Sequence, residues 1–119
     1  MDYKTRVTKI GDMVADFISQ QILIVYNDNC PPELAELSVC HTVAELARDV
    51  RPGDVVFLGD KDYVVTAVGG EANHTLSTMG HCTLSFKGQD TVELPGHIEL
   101  SGDGMPEVNP GDPFEILFT

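Results

Sequence analysis

Short runs in which apolar and polar residues alternate make up most of this chain, and glycine, proline or aspartate separates one run from the next. Tyr3–Ile10 alternates in this way and is rich in residues that favour strands, so it predicts a β-strand. Residues 22–26 are an unbroken apolar run, which is typical of a buried strand. The same patterns predict six further strands, at residues 55–58, 63–68, 81–86, 91–94, 97–100 and 113–118.

Three short stretches have helical spacing instead. Residues 13–20 carry apolar side chains four positions apart, as on one face of a helix. Residues 31–34 begin with two prolines and an acid, as in the first turn of a helix. Residues 73–79, followed by Gly80, predict a third short helical segment.

Many short strands and little helix predict an all-β fold, namely a small closed β-barrel of six or more strands with one to three short helices. The turn sequence Pro52-Gly53-Asp54 precedes one predicted strand and recurs as Pro110-Gly111-Asp112 before the last strand. This repeat raises the hypothesis of two similar halves, although Pro-Gly-Asp is also an ordinary turn sequence. No low-complexity linker divides the chain, so we expect residues 1–119 to form a single domain.

Residues 31–46, which read PPELAELSVCHTVAEL, hold the main candidate for chemistry. Thr42 and Glu45 have the T-x-x-E spacing of a capping box, which predicts a helix start and a helical stretch over residues 43–50. In that interpretation His41 lies at the mouth of a helix, where unpaired backbone N–H groups favour an anion.

A second interpretation of the same residues stays open. Residues 38–43 are also compatible with one continuous strand, in which Val39, His41 and Val43 share a face. The helix-mouth argument does not apply in that case, and a bound anion would need other hydrogen-bond donors.

Composition restricts the function classes. The 119 residues include nineteen acids and seven bases, which gives a formal net charge of −12. Such a chain is repelled by phosphate backbones and anionic lipid, so we expect no nucleic-acid or membrane-surface partner. No signal-peptide core follows Met1, no apolar run is long enough to span a bilayer, and the three cysteines lack a disulfide framework. We therefore expect a cytoplasmic protein without direct membrane insertion.

His41 is the histidine best placed for phosphoryl chemistry. A neutral imidazole is a competent nucleophile at pH 7, and nearby helix-terminal N–H groups would keep its pKa low. The same N–H groups, with the Thr42 hydroxyl, could hold phosphoryl oxygens, and His81 could orient or protonate. The alternative is that a lone histidine of this kind is simply a packed or surface residue.

Metal and thiol sites are the competing chemistries. Cys40-His41 and His81-Cys82 supply the elements of a zinc site, but adjacent residues on a strand point to opposite faces. Neither pair has the spacing of a zinc motif, and no protease or nucleotide-binding signature is present. We therefore expect no metal or cofactor, and we interpret both cysteines as small buried residues.

The chain resembles the IIA component of the glucitol/sorbitol-specific sugar phosphotransferase system over nearly its whole length. The Thr-Ala-Val-Gly and Gly-His-x-Thr-Leu segments, in this order, are the most specific part of the resemblance. The matching segments are residues 8–11, 31–46, 52–53, 63–69, 80–84, 94–96 and 110–111.

This resemblance implies a cytoplasmic phosphocarrier on a small β-barrel, with His41 as the phosphoryl acceptor. The donor would be the histidine of the phosphocarrier HPr, and the acceptor a cysteine of IIB in the IIB/IIC sorbitol permease. Gly80-His81 matches a second shared position with a supporting role. Some members carry another histidine two residues after the active one, where this chain has Val43. Two other hypotheses remain, a non-catalytic β-barrel binding module and a zinc or thiol enzyme.

Overall fold

Eight strands close into one barrel in the computed structural model, which describes residues 1–119. Around the barrel the order is β1-β3-β2-β6-β7-β5-β4-β8, and β8 pairs back onto β1. The predicted all-β closed barrel is therefore confirmed. The strands are β1 Tyr3–Ile10, β2 Ile22–Asn27, β3 Ser38–His41, β4 Val55–Leu58, β5 Lys61–Val68, β6 Cys82–Ser85, β7 His97–Ser101 and β8 Pro113–Leu117.

Three short helices cover the barrel, in agreement with the predicted number. A 3₁₀ helix spans Val14–Gln20, α1 spans Pro32–Ala35 and α2 spans Ala72–Met79. Gly80 ends α2 in the left-handed conformation, as a glycine after a helix commonly does. None of the helices combines the length and the hydropathy that crossing a bilayer requires.

Alternation along the strands builds the core. In β1, Tyr3, Thr5 and Val7 are buried, whereas Lys4 and Arg6 are exposed. This is the result of the two-residue period of a strand, which directs successive side chains to opposite faces. Every strand contributes inward-facing side chains to a single apolar cluster inside the barrel.

The two halves of the barrel have the same topology. Exchanging β1–β4 for β5–β8 gives every strand the same neighbours, with the order around the barrel read in the opposite direction. The parallel pair β2–β3 then corresponds to the parallel pair β6–β7, and both β1–β3 and β5–β7 are antiparallel. The barrel therefore consists of two similar halves, as the repeated Pro-Gly-Asp turn suggested.

Local geometry repeats as closely as topology. The register shifts between Val7 and Lys9 in β1, and between Val65 and Ala67 in β5. In the two turns, the Gly53 N–H donates to the Val65 carbonyl at 2.8 Å and the Gly111 N–H to the Val7 carbonyl at 2.7 Å. Val7 is thus the counterpart of Val65, and Gly53 that of Gly111.

The predicted helix over residues 43–50 is wrong, because residues 42–50 form neither helix nor strand. The Thr42 hydroxyl accepts the Arg6 N–H at 3.0 Å instead of capping a helix. Ala44, Leu46 and Val50 pack against the core, whereas residues 45, 47 and 49 between them are exposed. Alternation, rather than helical spacing, was the informative signal in this segment.

The predicted strand over residues 91–94 is also wrong. Residues 86–96 form a loop that returns from β6 to β7. An ion pair of 3.1 Å joins Lys87 to Glu93, and the Gln89 N–H donates to the buried Glu99 carboxylate at 3.1 Å. These contacts replace the strand pairing that residues 91–94 would have needed.

The Asp54 carboxylate fixes the turn before β4. It accepts hydrogen bonds from the Arg48 guanidinium at 2.8 and 2.9 Å, and from the N–H groups of Arg51 and Thr119 at 2.8 and 3.0 Å. The hydrogen bonds from Arg48 are the largest cause that holds the pKa of Asp54 well below its usual range. Only 1% of the Asp54 side chain is exposed.

Replacing Asp54 with alanine is expected to lower the free energy of unfolding by about 2–3 kcal/mol. The N–H groups of Arg51 and Thr119 lose their acceptor, and the Arg48 guanidinium loses the buried carboxylate that it binds. The matched control is Asp112→Ala at the equivalent turn, where the carboxylate accepts the Asn109 N–H at 2.7 Å. Asp112→Ala should lower the free energy of unfolding by less than ~1 kcal/mol. Urea unfolding measures both, and equal losses would contradict the special role of Asp54.

Candidate functional site

His41 is the last residue of β3, and its side chain points into the end of the barrel. It pairs with Val7 of β1 and lies opposite Asn27 of β2. The residue is 0% exposed, and its ring meets Phe114 edge-on at a centroid distance of 5.0 Å. The strand interpretation of this segment is therefore correct up to His41, and the position at a helix mouth is wrong. Val43, which was expected on the same face, is exposed.

Two backbone carbonyls hold the His41 ring. Nδ1 lies 2.8 Å from the Thr42 carbonyl oxygen, and Nε2 lies 2.8 Å from the Gly80 carbonyl oxygen. A carbonyl oxygen only accepts hydrogen bonds, so both contacts are satisfied only when both ring nitrogens carry hydrogen. A neutral ring donates to one carbonyl and presents a lone pair to the other.

Burial lowers the pKa of His41, which is the largest effect on this group. The Thr42 and Gly80 carbonyls and the charge of Asp28 act in the opposite direction and raise it. The net shift favours the neutral ring at pH 7, as the sequence led us to expect. The physical cause is desolvation inside a barrel and not the end of a helix dipole.

The backbone of Gly80 lies against this ring, and we call the turn at Gly80 the cover of the site. Gly80 follows α2 with a φ of +61°, a conformation that side chains rarely adopt. A methyl group built on Gly80 would overlap the Asn27 Oδ1 atom and approach His41 Cε1 to 2.8 Å. Gly80, Asn27 and the His41 ring therefore converge, and the backbone approaches the ring this closely because residue 80 has no side chain.

His81 lies beside the cover and not against the His41 ring. Its ring stacks on Tyr26 at a centroid distance of 4.4 Å, and its Nδ1 contacts the Val25 carbonyl at 3.1 Å. The Tyr26 hydroxyl in turn donates to the sulfur of Met79 at 3.4 Å. No hydrogen bond or ring contact links the two histidine side chains, and Gly80, the neighbour of His81 in the chain, contacts the His41 ring.

Thr42 faces a groove on the outside of the barrel. Its N–H donates to the Arg6 carbonyl at 2.9 Å, and its hydroxyl oxygen accepts the Arg6 N–H at 3.0 Å. The groove has a volume of about 570 Å³, and Lys4, Arg6 and Glu115 are among its lining residues. Two of the seven basic residues of the chain therefore lie beside Thr42.

The two cysteines next to the candidate histidines are buried, as expected. Burial raises the pKa of Cys40 to about 11 and that of Cys82 to about 12. Both thiols are therefore protonated at pH 7, which is unfavourable for a nucleophile or a metal ligand. The structure places no three His, Cys, Asp or Glu side chains where they could share a metal ion.

Sequence reasoning missed Asn27. Residues 27–29 were interpreted only as the turn that ends β2, although Asn27 is 8% exposed and lies beside His41. The parallel pairing of β2 with β3 creates this proximity, and no local pattern in the sequence encodes that pairing.

Substituting alanine for Gly80 is expected to lower the free energy of unfolding by about 3 kcal/mol. The strain of a left-handed backbone at an alanine adds to the overlap of its methyl group with His41 and Asn27. Gly104 is a matched control, since its φ is +70° and an added methyl group would meet nothing within 4 Å. Gly104→Ala should cost only the backbone strain, about 1 kcal/mol. Thermal unfolding of both variants is the measurement, and similar losses would mean that residue 80 has room for a side chain.

A lowered His41 pKa makes stability depend on pH in a defined direction. In the unfolded chain His41 takes up a proton near the ordinary pKa of 6.5, whereas in the folded chain it does so only at a lower pH. The stabilising contribution is therefore complete above about pH 6.5 and declines as the pH falls below it. Urea unfolding at pH 7.5 and 5.5 should show a larger decline in the wild type than in His41→Gln, and identical declines would refute the lowered pKa.

Comparisons with known proteins give a consistent result. The family model described as the PTS system glucitol/sorbitol-specific IIA component matches residues 2–115. The glucitol/sorbitol-specific EIIA components of Shigella flexneri and Escherichia coli (strain K12) are each 37% identical over 109 residues, covering 92% of this chain and 89% of theirs.

A solved structure agrees with the fold. The crystal structure of a PTS system IIA component from Enterococcus faecalis V583 matches with a TM-score of 0.87 and 26% sequence identity, over 97% of this chain and 99% of that one. Membership implies a general phosphotransferase role, exercised together with other proteins of the phosphotransferase system. The chain belongs to the family of glucitol/sorbitol-specific IIA components of the sugar phosphotransferase system.

Proposed function

We propose that this chain is a cytoplasmic phosphohistidine carrier. It accepts a phosphoryl group on His41 from phosphorylated HPr and passes it to a cysteine of the IIB component, for uptake and phosphorylation of sorbitol by the IIB/IIC permease. Residues 1–119 act as one phosphocarrier domain. The observation that carries this proposal is the setting of His41, a buried imidazole with a lowered pKa and both ring nitrogens held by backbone carbonyls.

Nδ1 keeps the ring proton and Nε2 is the nucleophile. The Thr42 carbonyl belongs to the residue after His41, so a hydrogen bond from Nδ1–H to it orients the ring without involving a distant element. Nε2 then carries the lone pair. Its neighbour, the Gly80 carbonyl, is supplied by the turn after α2 and must rotate away before a phosphoryl group can approach.

Transfer consists of an exchange of phosphorus–nitrogen bonds. The Nε2 lone pair attacks phosphorus, the bond from phosphorus to the donor histidine breaks, and its electron pair returns to the donor ring. The His41 ring gains positive character during attack, and the Thr42 carbonyl stabilises that charge through Nδ1–H. The reaction therefore needs positioning and electrostatic support rather than a metal or cofactor in this chain.

The surroundings of the site suit the handling of an anion. The chain carries a formal charge of −12, so a phosphoryl group meets net repulsion over most of the surface. The groove beside Thr42 has two bases, Lys4 and Arg6, and one acid, Glu115, so its lining is less repulsive to an anion than the chain as a whole. The Thr42 hydroxyl has a hydrogen to donate, since the oxygen serves as acceptor for the Arg6 N–H. His81 supports the cover by stacking on Tyr26.

Incubation with phosphoenolpyruvate, the first phosphotransferase enzyme and HPr should add one acid-labile phosphate, located by mass spectrometry at His41. His41→Gln should abolish the label, and His81→Ala should slow but not prevent it. His74→Ala is the control, because His74 is in the exposed part of α2 and should have no effect. Thr42→Ala is expected to reduce the rate about three- to tenfold.

Labelling of folded His41→Gln at the normal rate would refute the assignment of the acceptor. Labelling at His81 instead would move the site and preserve the carrier function. Complete failure of labelling, with tight binding to another protein, would support the non-catalytic binding module.

A further inference from the structure

The similarity of the two halves provides an internal reference for the site. Val7 pairs with His41, and its counterpart Val65 pairs with Leu100, so His41 corresponds to Leu100. Asn27 lies opposite His41 in the parallel pair β2–β3. In the parallel pair β6–β7, Ser85 lies opposite Glu99, which places the next residue, Phe86, opposite Leu100. Asn27 therefore corresponds to Phe86.

Gly80 also has a counterpart. It ends α2 with a φ of +61°, and Gln21 ends the 3₁₀ helix of the first half with a φ of +60°. The Gln21 carbonyl accepts the backbone N–H of Phe86 at 2.8 Å. The Gly80 carbonyl is instead directed at Nε2 of His41, also at 2.8 Å.

Burial at the two ends of the barrel is the same, while the chemistry differs. His41 and Leu100 are each 0% exposed, and Asn27 and Phe86 are each 8% exposed. Phe86 and Leu100 both belong to the apolar core cluster. One half of the molecule thus demonstrates that the fold closes with apolar side chains at these positions. The polar pair in the other half is not required for packing.

The side-chain oxygen of Asn27 makes no hydrogen bond that would give it a structural role. Oδ1 is buried and has no hydrogen-bond partner, and it lies against Gly80 beside the His41 ring. A buried polar atom without a partner destabilises the folded state, so such groups in native proteins usually serve another purpose. Rotation of the amide about the Cβ–Cγ bond exchanges Oδ1 and Nδ2, which would direct a donor into the same space.

We infer that the side-chain amide of Asn27 donates a hydrogen bond to the phosphoryl group on His41 and is a phosphoryl-binding residue of this carrier. The inference rests on the proposed function, since it requires that Nε2 accept the group. When the Gly80 carbonyl rotates away from Nε2, the phosphoryl oxygens enter the space between the ring, Gly80 and Asn27. The amide is uncharged, so it binds these oxygens without the strong ion pairing that would hinder onward transfer.

A small phosphoryl donor separates this role from protein docking. Phosphoramidate phosphorylates histidine directly, because the ring nitrogen attacks phosphorus, the phosphorus–nitrogen bond of the reagent breaks and ammonia leaves. Asn27→Leu removes the amide and nearly preserves its size, and Asn27→Asp removes the N–H donors and adds a charge. We expect both variants to be phosphorylated about tenfold more slowly or worse, by phosphoramidate and by phosphorylated HPr alike.

Stability distinguishes a phosphoryl contact from a structural residue. Asn27→Leu should unfold at the same temperature as the wild type or higher, since it removes a buried atom without a partner. The matched control is Phe86→Leu at the equivalent position. It should unfold at a lower temperature because it leaves a cavity, and it should be phosphorylated at the normal rate. The ³¹P resonance of the phosphohistidine should also shift in Asn27→Asp.

Normal phosphorylation of Asn27→Leu and Asn27→Asp would overturn the inference and leave the proposed function intact. Slow phosphorylation in both Asn27→Leu and Phe86→Leu, in proportion to lost stability, would also overturn it, because a loosened barrel would then explain the effect. If Asn27→Leu does not fold, the rate and the ³¹P shift of Asn27→Asp decide. Absence of any label on wild-type His41 with both donors would refute the proposed function and this inference together.

Discussion

Two carbonyl groups hold one imidazole inside the end of a closed barrel, and the behaviour of the site depends on the fact that a neutral ring can donate to only one of them. The barrel removes water from the ring and thereby favours the neutral form. That same form is unable to satisfy the second carbonyl. At pH 7 one of the two carbonyls therefore faces a ring lone pair, and in the proposed function rotation of Gly80 removes that unfavourable contact.

Protonation and access are thus controlled by different parts of the chain. The apolar neighbours of His41, among them Phe114, keep the lone pair available by desolvation. In the proposed function, the turn at Gly80 determines whether a phosphoryl group can reach that lone pair. Tyr26 of β2 contacts both Met79 and His81, and it thereby connects the turn at Gly80 to the barrel wall. In the proposed function the chain both accepts and releases a phosphoryl group, so the turn at Gly80 would have to open for both steps.

The strands of the barrel could be predicted from the sequence because alternation and turn residues are local signals. The segment over residues 43–50 was misinterpreted for the same reason. Its T-x-x-E spacing looks like a capping box, but Thr42 pairs with Arg6, which is distant in the chain. The sequence predicts His41 as the phosphoryl acceptor from its setting and from the resemblance. Asn27 could not be assigned to the site, and Gly80 only through its match to the family, since pairing of β2 with β3 and the return of α2 bring them to His41.

The two halves of the barrel are interlocked rather than adjacent. Both neighbours of β4, namely β5 and β8, belong to the second half, and both neighbours of β8, namely β1 and β4, belong to the first. Each half therefore contributes its last strand to the sheet of the other half. A half-length polypeptide of this kind would leave strand edges open, and it would gain a closed barrel only by exchanging its last strand with a second copy.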